Sequence, residues 1–261
     1  MSTSLPLSRR DIIAARLAEG RQVVATSLAA EFDVSEDAVR RDLRALAAEG
    51  KCRRVYGGAL PLFTPSQPIS ARIGKESARK RILAQAAVTM IERGEFVFLD
   101  SSSTNLEMVE LLPKNLDMTI ATNSVEIASA IMKRGDIPLV VIGGAVNPVV
   151  GGCVDASAVA AIAALNIDRC FLGVCAISAR TGISVYEHAD AIFKRMLLER
   201  SASRIGLITS EKFHERAPHR IGGVANIDWL IVEDDLPDDD ERAAMDAGFS
   251  LVKPRDVTSS S

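Results

Sequence analysis

Six short, unbroken apolar runs constrain the fold of this chain more than any other feature. They are Phe96–Leu99, Met118–Ala121, Ile137–Ile142, Cys170–Val174, Ile205–Ile208 and Trp229–Val232. Segments of helical periodicity lie between or beside them, near residues 77–92, 103–112, 123–134, 155–166 and 187–203. Continuous rather than alternating apolar runs are typical of strands that are covered on both faces. The sequence therefore predicts a doubly wound α/β domain with a mostly parallel sheet.

The chain is too long for this domain alone. Its 261 residues fit two domains, and a hydrophobic content of 48% is enough for a substantial core in each. Aromatic residues make up only 4%, which suits packing by Ala, Val, Leu and Ile in an α/β fold. Residues 60–70 contain three prolines and are typical of a linker. We expect an N-terminal domain over 1–59, a linker over 60–72 and the α/β domain over 73–261.

The N-terminal domain has the pattern of short helices separated by tight turns. A first helix is expected from about Ser8 to Glu19, and a short second helix opens at Ala25 or Thr26. Ser35 is placed to cap a third helix that ends at Gly50.

The third helix and the segment after it complete the pattern. Val39, Leu43 and Leu46 fall at i, i+4 and i+7, so they form the buried stripe of the helix. The basic segment 51–58 ends in two glycines and fits a small β-wing. Together these features predict a winged helix-turn-helix.

Charge is distributed in a way that supports DNA binding by this domain. The net charge of −3 argues against a nucleic-acid partner when it is taken alone. Residues 1–60, however, carry 10 Lys and Arg against 8 Asp and Glu, whereas the remainder carries 21 against 26. Between Arg40 and Arg54, six residues are basic and two are acidic. The positive charge is therefore local, as expected when one small module binds DNA.

The outward face of the third helix and the wing supply the candidate DNA contacts. A major groove admits one helix, and guanidinium groups there bind guanine or phosphate. The wing would grip the adjacent backbone. A solvated charged face is the alternative reading of the same arginines. The candidate contacts are Thr26, Ser35, Glu36, Asp37, Arg40, Arg41, Arg44, Arg53, Arg54 and Tyr56.

Small and polar residues follow three predicted strands of the α/β domain. Asp100–Thr104 follow the first strand, Thr122–Ser124 the second, and Gly143-Gly144 the third. In open α/β sheets, ligands bind beyond the carboxyl ends of the strands, and a helix N-terminus favours an anion. N-capping or turn chemistry is the alternative for each segment taken alone. Their shared location predicts a crevice that suits a phosphate and several hydroxyls.

Several ordered segments resemble the DeoR-type bacterial regulators. In the first domain they are Arg10–Ile13, Val23–Phe32, Val34-Ser35, Val39–Leu43 and Arg54–Ala59. In the second they are Phe98–Ser101, Thr122–Ser124, Gly143-Gly144, Phe171–Val174, and Glu187 with Lys194. Tyr56 stands where the family commonly has His. The resemblance implies a sensor domain similar in fold to ribose-5-phosphate isomerase that responds to phosphorylated sugars.

The resemblance also implies roles for individual residues. Ser101–Thr104 would hold the phosphate, while Asp100 and Asn123 would contact hydroxyls. Ser102 and Ser103 stand where the family often has Gly then Thr, and a Cβ there could narrow the cradle. Lys194 and Lys80 would add positive charge. The full set of expected effector contacts is Lys80, Asp100, Ser101, Ser102, Ser103, Thr104, Asn123, Ser124, Gly143, Gly144, Glu187 and Lys194.

Two functions are compatible with these residues. The first is a repressor of carbohydrate-metabolism genes that binds a two-fold DNA operator as a dimer or tetramer and is controlled by a sugar phosphate. The second is a sugar-phosphate isomerase with an appended DNA-binding module, for which Asp100, Glu187 and Lys194 could supply acid–base groups. The loop after Cys170–Val174 has no second, paired carboxylate, so the chain is expected not to be an enzyme.

Other features of the sequence exclude rather than assign functions. Four cysteines show no metal-ligand spacing and are expected to be reduced core residues, with no metal or cofactor. No apolar stretch reaches membrane-spanning length, so a cytoplasmic protein without a membrane partner is expected. The acidic stretch Glu233–Glu241 reads as a solvated loop before a terminal helix.

Overall fold

The computed structural model describes residues 8–18, 21–61, 67–178, 182–213, 215 and 217–258. The chain divides into two compact units, Met1–Pro65 and Ser66–Ser261. The predicted linker, residues 60–72, spans this division. Leu60 and Pro61 belong to a strand of the first unit, whereas the short helix Ile69–Arg72 belongs to the second. That helix is held by a hydrogen bond of 3.1 Å from the Ile69 amide to the Val149 carbonyl.

The first unit is a helix-turn-helix with a β-wing. Its elements are α1 (Arg9–Ala18), β1 (Val23–Val24), α2 (Ala25–Glu31), α3 (Glu36–Ala48), β2 (Cys52–Val55) and β3 (Gly58–Pro61). The strands form a small antiparallel sheet in the order β1-β3-β2. A hydrogen bond of 2.7 Å from the Ala25 amide to the Gly57 carbonyl joins the start of α2 to the wing turn.

The predicted core stripe and cap of α3 are confirmed. Val39, Leu43 and Leu46 are at most 1% exposed and pack with Ile13 and Leu28. Burial of a side chain of this size stabilises a fold by about 1.5–3 kcal/mol. Ser35 caps the helix: its side chain accepts a hydrogen bond of 3.3 Å from the Ala38 amide. The cap and the stripe together fix which face of α3 is left to solvent.

The second unit is built on a seven-stranded parallel sheet. Its strands are β4 (Phe96–Leu99), β5 (Thr119–Thr122), β6 (Leu139–Val141), β9 (Ile167–Gly173), β12 (Ser201–Ile208), β14 (Trp229–Val232) and β15 (Leu251–Val252). Five further strands among the described residues lie outside this sheet: β7 (Val146–Asn147), β8 (Gly152–Cys153), β10 (Ala176–Ser178), β11 (Gly182–Val185) and β13 (His219–Gly222). The helices are α4 (Ile69–Arg72), α5 (Ser77–Val88), α6 (Ser103–Leu111), α7 (Val125–Arg134), α8 (Ala156–Ala163), α9 (His188–Glu199), α10 (Asp238–Asp246) and α11 (Pro254–Thr258).

The sheet is doubly wound, as the sequence predicts. Its order is β15-β14-β12-β9-β4-β5-β6, so the chain proceeds outward from β4 in one direction and outward from β9 in the other. Both faces are covered: Phe98 and Leu172 pack into one core, and Leu99 and Phe171 into the other. Each of the six predicted apolar runs lies in or overlaps a strand of this sheet.

Two features of the second unit differ from the sequence prediction. Strands β10, β11 and β13 form a separate antiparallel sheet that no apolar run signals. The acidic stretch is also not a solvated loop throughout, because Glu233 is 6% exposed. One of its carboxylate oxygens accepts a hydrogen bond of 2.6 Å from Arg79, and the other accepts one of 2.7 Å from the Ser210 amide. The rest of the stretch enters α10 at Asp238.

Candidate functional site

The exposed face of α3 carries arginines in two different states. Arg40 pairs with Glu36 at 2.7 Å, so its positive charge is neutralised within the helix. Arg41 and Arg44 make only backbone hydrogen bonds, to the carbonyls of Asp37 and Arg40, and form no ion pair within the described residues. Their positive charge is therefore available to an anionic partner.

The wing continues this basic surface. Arg53 and Arg54 are exposed on β2, and neither forms an ion pair with any residue placed by the structure. Tyr56, at the turn between β2 and β3, is fully exposed. Thr26, Ser35 and Asp37 are exposed near the starts of α2 and α3. The structure thus leaves nearly all of the predicted DNA contacts at the surface of one unit, with Glu36 half-buried.

Buried polar residues gather where the order of the parallel sheet reverses, between β4 and β9. Asp100 follows β4, and Gly173 ends β9. The amide of Gly173 donates a hydrogen bond of 3.1 Å to Asp100 Oδ2. A ligand crevice is expected at such a reversal point. We call the residues Asp100–Asn105, Thr122–Ser124, Asp190 and Lys194 the switch-point cluster.

Lys194 is the central charge of the switch-point cluster. It is 2% exposed on α9 and donates hydrogen bonds to Asp100 Oδ2 and, at 2.9 Å, to the Gly173 carbonyl. Asp190, one turn earlier, lies 3.6 Å from the same Nζ. Burial by itself lowers the pKa of Lys194, but the carboxylates of Asp100 and Asp190 more than offset this, so its pKa is raised. The ammonium is therefore held in its charged form between two carboxylates.

Unsatisfied acceptor atoms surround this ion pair. Asp100 Oδ1, Asp190 Oδ1 and Asn105 Oδ1 are buried and have no hydrogen-bond partner among the residues that the structure describes. Burial raises the pKa of Asp190 to about 6, although Lys194 opposes this rise. A buried acceptor without a donor costs about 1–3 kcal/mol. The cluster is thus stabilised by Lys194 but not saturated by the chain's own donors.

The start of α6 contains the predicted phosphate cradle. Ser102 is the helix cap, and its hydroxyl accepts hydrogen bonds of 3.1 Å from the amides of Thr104 and Asn105. The side chains of Ser103 and Thr104 are buried, and neither hydroxyl has a hydrogen bond to another described residue. The Ser101 hydroxyl just before them is likewise buried and unpartnered among the described residues. Ser102 is consumed by capping, whereas Ser103 and Thr104 remain available to a ligand.

A second constraint on this loop comes from β9. A Cβ on Gly173 would lie 2.3 Å from Ser102 Cβ, so only glycine fits beside the loop. The side-chain amide of Asn105 holds the loop in place by donating hydrogen bonds to the carbonyls of Asp100, at 2.9 Å, and Phe171, at 2.8 Å. The cradle is therefore fixed against the strand.

The predicted polar residues after β5 form hydrogen bonds with backbone groups of the protein itself. Asn123 accepts a hydrogen bond of 3.1 Å from the Ser101 amide and donates one of 3.1 Å to the Cys153 carbonyl. Ser124 caps α7 by accepting from the Ile127 amide at 3.3 Å. Both ends of the Asn123 amide are thus used in positioning the loop that carries Ser101.

The remaining predicted effector residues are placed differently. Lys80 is buried and donates to the carbonyls of Arg72 and Lys75, at 2.7 and 2.6 Å. Gly144 lies against Asp155, whose carboxylate leaves no room for a Cβ there. Glu187 is half-buried at the cap position of α9 and makes no side-chain cap hydrogen bond. Within the part of the chain that the structure describes, none of these three residues forms a hydrogen bond or an ion pair with Lys194 or with the start of α6.

Sequence reasoning missed Asp190 and Asn105. Asp190 lies four residues before Lys194, a spacing that places acid and base on one helix face and could have identified the pair. Asn105 follows the predicted loop by one residue, and no local pattern distinguishes it from an ordinary helix residue. In the described part of the chain, no group of three or more His, Cys, Asp and Glu side chains could hold a metal ion. None of the helices described there is long and apolar enough to cross a bilayer.

Comparison with known proteins matches both units. The DeoR-like helix-turn-helix domain covers residues 9–62, and the DeoR C terminal sensor domain covers residues 75–234. The chain is 32% identical to a putative aga operon transcriptional repressor of Escherichia coli O157:H7, over 94% of this chain and 92% of that protein. It is 28% identical to the L-fucose operon activator of Escherichia coli (strain K12), over 87% and 95% of the two chains.

Two further matches extend this comparison. The glycerol-3-phosphate regulon repressor of Escherichia coli (strain K12) is 25% identical over 79% of this chain and 82% of its own length. Among solved structures, ribose 5-phosphate isomerase from Plasmodium falciparum is similar over 52% of each chain, with 18% identity and a TM-score of 0.38.

A helix-turn-helix unit followed by a sensor domain defines a DNA-binding transcriptional regulator. The family matches, which together cover most of the chain, identify which regulators these are. The chain belongs to the DeoR family.

Removal of one unpaired arginine tests the DNA-binding surface. Arg41→Ala is expected to weaken binding to a duplex selected by the protein from a random pool. If Arg41 contacts a phosphate, the salt dependence of log K should also become shallower by about one unit. Fluorescence anisotropy over a salt series measures both quantities. Arg242→Ala, on α10 of the other unit, is the control and should bind as the unaltered protein does. An unchanged affinity and slope for Arg41→Ala would show that α3 does not face the DNA.

Proposed function

We propose that this protein is a repressor of carbohydrate-metabolism genes whose DNA binding is controlled by a phosphorylated sugar. The observation that carries the proposal is the pair of unpartnered hydroxyls on Ser103 and Thr104, in the first turn of α6 at the reversal point of the sheet. A helix N-terminus attracts an anion, and hydroxyl donors complete its coordination. Unsatisfied acceptors on Asp100 and Asn105 nearby would accept hydrogen bonds from sugar hydroxyls.

The names of the relatives support control by such a ligand. One relative is named as the repressor of a glycerol-3-phosphate regulon, and two are named for operons, aga and L-fucose. Two of these three proteins are named as repressors and one as an activator. We therefore propose repression for this chain, with the class of effector taken from the chemistry of the switch-point cluster.

The DNA partner follows from the first unit. α3 would enter the major groove with Arg41 and Arg44, while Arg53 and Arg54 would neutralise adjacent phosphates. A two-fold operator requires at least two copies of the chain, so the protein would act as a homo-oligomer in the cytoplasm. The effector would then shift the population of conformations that bind both half-sites.

A regulator fits the cluster better than the isomerase alternative does. Isomerisation needs a carboxylate base that reaches the carbon losing its proton. Asp100 is engaged by Lys194 and the Gly173 amide, and Asp190 lies 3.6 Å from the same ammonium. Glu187, the other acid–base candidate, stands at the start of α9. These carboxylates are arranged to hold Lys194 rather than to attack a substrate.

Ser103→Glu tests the effector proposal. The added carboxylate should repel a phosphate at the start of α6, while the DNA surface on the other unit is unchanged. In the unaltered protein, one of a panel comprising glycerol 3-phosphate and pentose and hexose phosphates should raise the melting temperature and release DNA. Both responses should be lost in Ser103→Glu, with DNA affinity retained.

Ser157→Glu supplies the matched control, because Ser157 is an exposed serine in the first turn of α8. It should respond to the sugar phosphate as the unaltered protein does. A full response to the sugar phosphate in Ser103→Glu would show that the phosphate does not bind at the start of α6. Turnover of a pentose phosphate at enzymatic rates, without DNA binding, would instead favour the isomerase.

A further inference from the structure

Exposed apolar side chains concentrate at one rim of the second unit. Twelve large hydrophobic side chains are exposed among the described residues, and five of them lie on α7, β6 and β7. These five, which we call the β6 rim, are Val125, Met132, Val140, Val141 and Val146. Met132 is 73% exposed, the highest value in this group. Exposed apolar side chains that are grouped on neighbouring elements of a folded domain mark an interaction site.

The backbone of β6 is also unpaired on its outer side. β6 is the terminal strand of the parallel sheet, and among the described residues its only strand partner in that sheet is β5. The Pro138 carbonyl and the Ile142 amide both bond to β5. Because successive residues of a strand point their amide and carbonyl groups to alternate sides, Leu139 and Val141 direct theirs away from the sheet. The edge therefore offers two amides and two carbonyls to a partner.

The opposite edge of the same sheet is protected from pairing. β15 is only two residues long, both are half-buried, and the chain passes from it through Lys253 into α11. Lys253 is itself buried in an ion pair with Glu241. β6 is one residue longer than β15, two of its three side chains are exposed, and it has no charge, bulge or internal proline, which are three of the devices that keep an edge strand from pairing. An unprotected edge beside exposed valines indicates that this edge is covered in the working protein.

We propose that the β6 rim binds the β6 rim of a second copy of this chain, so that the two sheets join into one continuous sheet. The hydrogen-bonding pattern of the edge is complementary to itself. In an antiparallel pair, Leu139 would exchange both backbone hydrogen bonds with Val141 of the second copy, and Val141 with Leu139. Val140 would then face its own copy across a two-fold axis. A closed, isologous contact of this kind produces a dimer rather than a fibre.

The charges on α7 fit the same two-fold arrangement. α7 precedes β6 and packs against it. A two-fold axis at Val140 would therefore place α7 antiparallel to α7 of the second copy, with both helices on the same face of the joined sheets. Glu126 and Lys133 lie at opposite ends of α7, both are exposed, and neither forms an ion pair with a residue that the structure describes. In the antiparallel arrangement Glu126 of each copy approaches Lys133 of the other, and Val125 approaches Met132. This match in both charge and apolar character identifies the occupant as a second copy.

Sedimentation velocity of the full chain over a concentration series tests the proposal. Met132→Lys and Val141→Lys should each raise the dissociation constant of the dimer by about tenfold or more, because every substitution occurs twice in a two-fold interface. Met245→Lys, at an exposed methionine on α10, is the matched control and should leave the constant unchanged. Circular dichroism checks that each variant is folded.

Charge reversal provides the second arm and does not alter the strand. Glu126→Lys and Lys133→Glu should each weaken association, because like charges then meet across the axis. The double variant should restore association to that of the unaltered protein. A monomer at all concentrations, equal association of Met132→Lys and Met245→Lys, or failure of the double reversal to restore association would each overturn the proposal.

Discussion

Lys194→Met is expected to lower the free energy of unfolding of the second unit by about 3–5 kcal/mol. The substitution keeps most of the side-chain volume but leaves the carboxylates of Asp100 and Asp190 buried without their cation. An uncompensated buried charge costs far more than the lost ion pair contributes. Urea unfolding without effector measures the change. Trp229 on β14 is the single tryptophan of the chain, so its fluorescence reports on this unit.

Two further variants separate charge from packing in this prediction. Lys114→Met replaces an exposed lysine of the same unit and should change the free energy of unfolding by no more than about 0.5 kcal/mol. Asp100→Asn combined with Lys194→Met should recover part of the loss, since one of the two stranded charges is removed. A loss below about 1 kcal/mol in Lys194→Met would mean that the two carboxylates take up protons or water instead of depending on Lys194.

The parallel sheet could be predicted from the sequence because its signal is local. A strand covered on both faces must be apolar throughout, so runs such as Phe96–Leu99 and Trp229–Val232 match β4 and β14 residue for residue. β10, β11 and β13 have no such signal. β10 pairs with the neighbouring β11, with Ser178 opposite Gly182, but β11 pairs with β13 across α9 and β12, with Ile183 opposite Gly222. The place of β13 is therefore specified by a distant partner rather than by its own pattern.

In the candidate sites too, local features could be predicted from the sequence, whereas side-chain pairing could not. Ser35 and the stripe of α3 follow from spacing along one helix, and both are confirmed. Spacing alone does not show that Arg40 is paired and Arg41 is not, because that depends on side-chain conformation. Glu233 appears in sequence as one of many solvated acids, yet it is buried by Arg79, which lies 154 residues away in the chain. Long-range pairing of this kind leaves no local trace.

The buried carboxyl of Asp190 should make the second unit less stable as the pH rises from about 4 to about 6. Its pKa is raised from 3.8 to about 6, first because burial disfavours the charged form and further because Asp100 is close. Lys194 and Arg72 oppose this rise. Between the two values the folded state holds a proton that the unfolded state has released. The stabilisation is therefore complete below the ordinary pKa and is lost as the pH passes through the raised one.

Asp190→Asn isolates this contribution, because the amide stays neutral at every pH. The variant should match the unaltered protein near about pH 4 and be more stable near about pH 7, by roughly 1–3 kcal/mol. Urea unfolding followed by Trp229 fluorescence at both pH values measures the difference. Asp155→Asn is the control, and its effect on stability should have the opposite sign. Amide hydrogen bonds from Ala145 and Ala158 lower the pKa of Asp155, so its ionised carboxylate stabilises the fold above its ordinary pKa of 3.8, and the variant should be less stable than the unaltered protein at neutral pH. A stability difference between Asp190→Asn and the unaltered protein that does not change with pH would show that Asp190 is ionised throughout, with Lys194 compensating its burial in full.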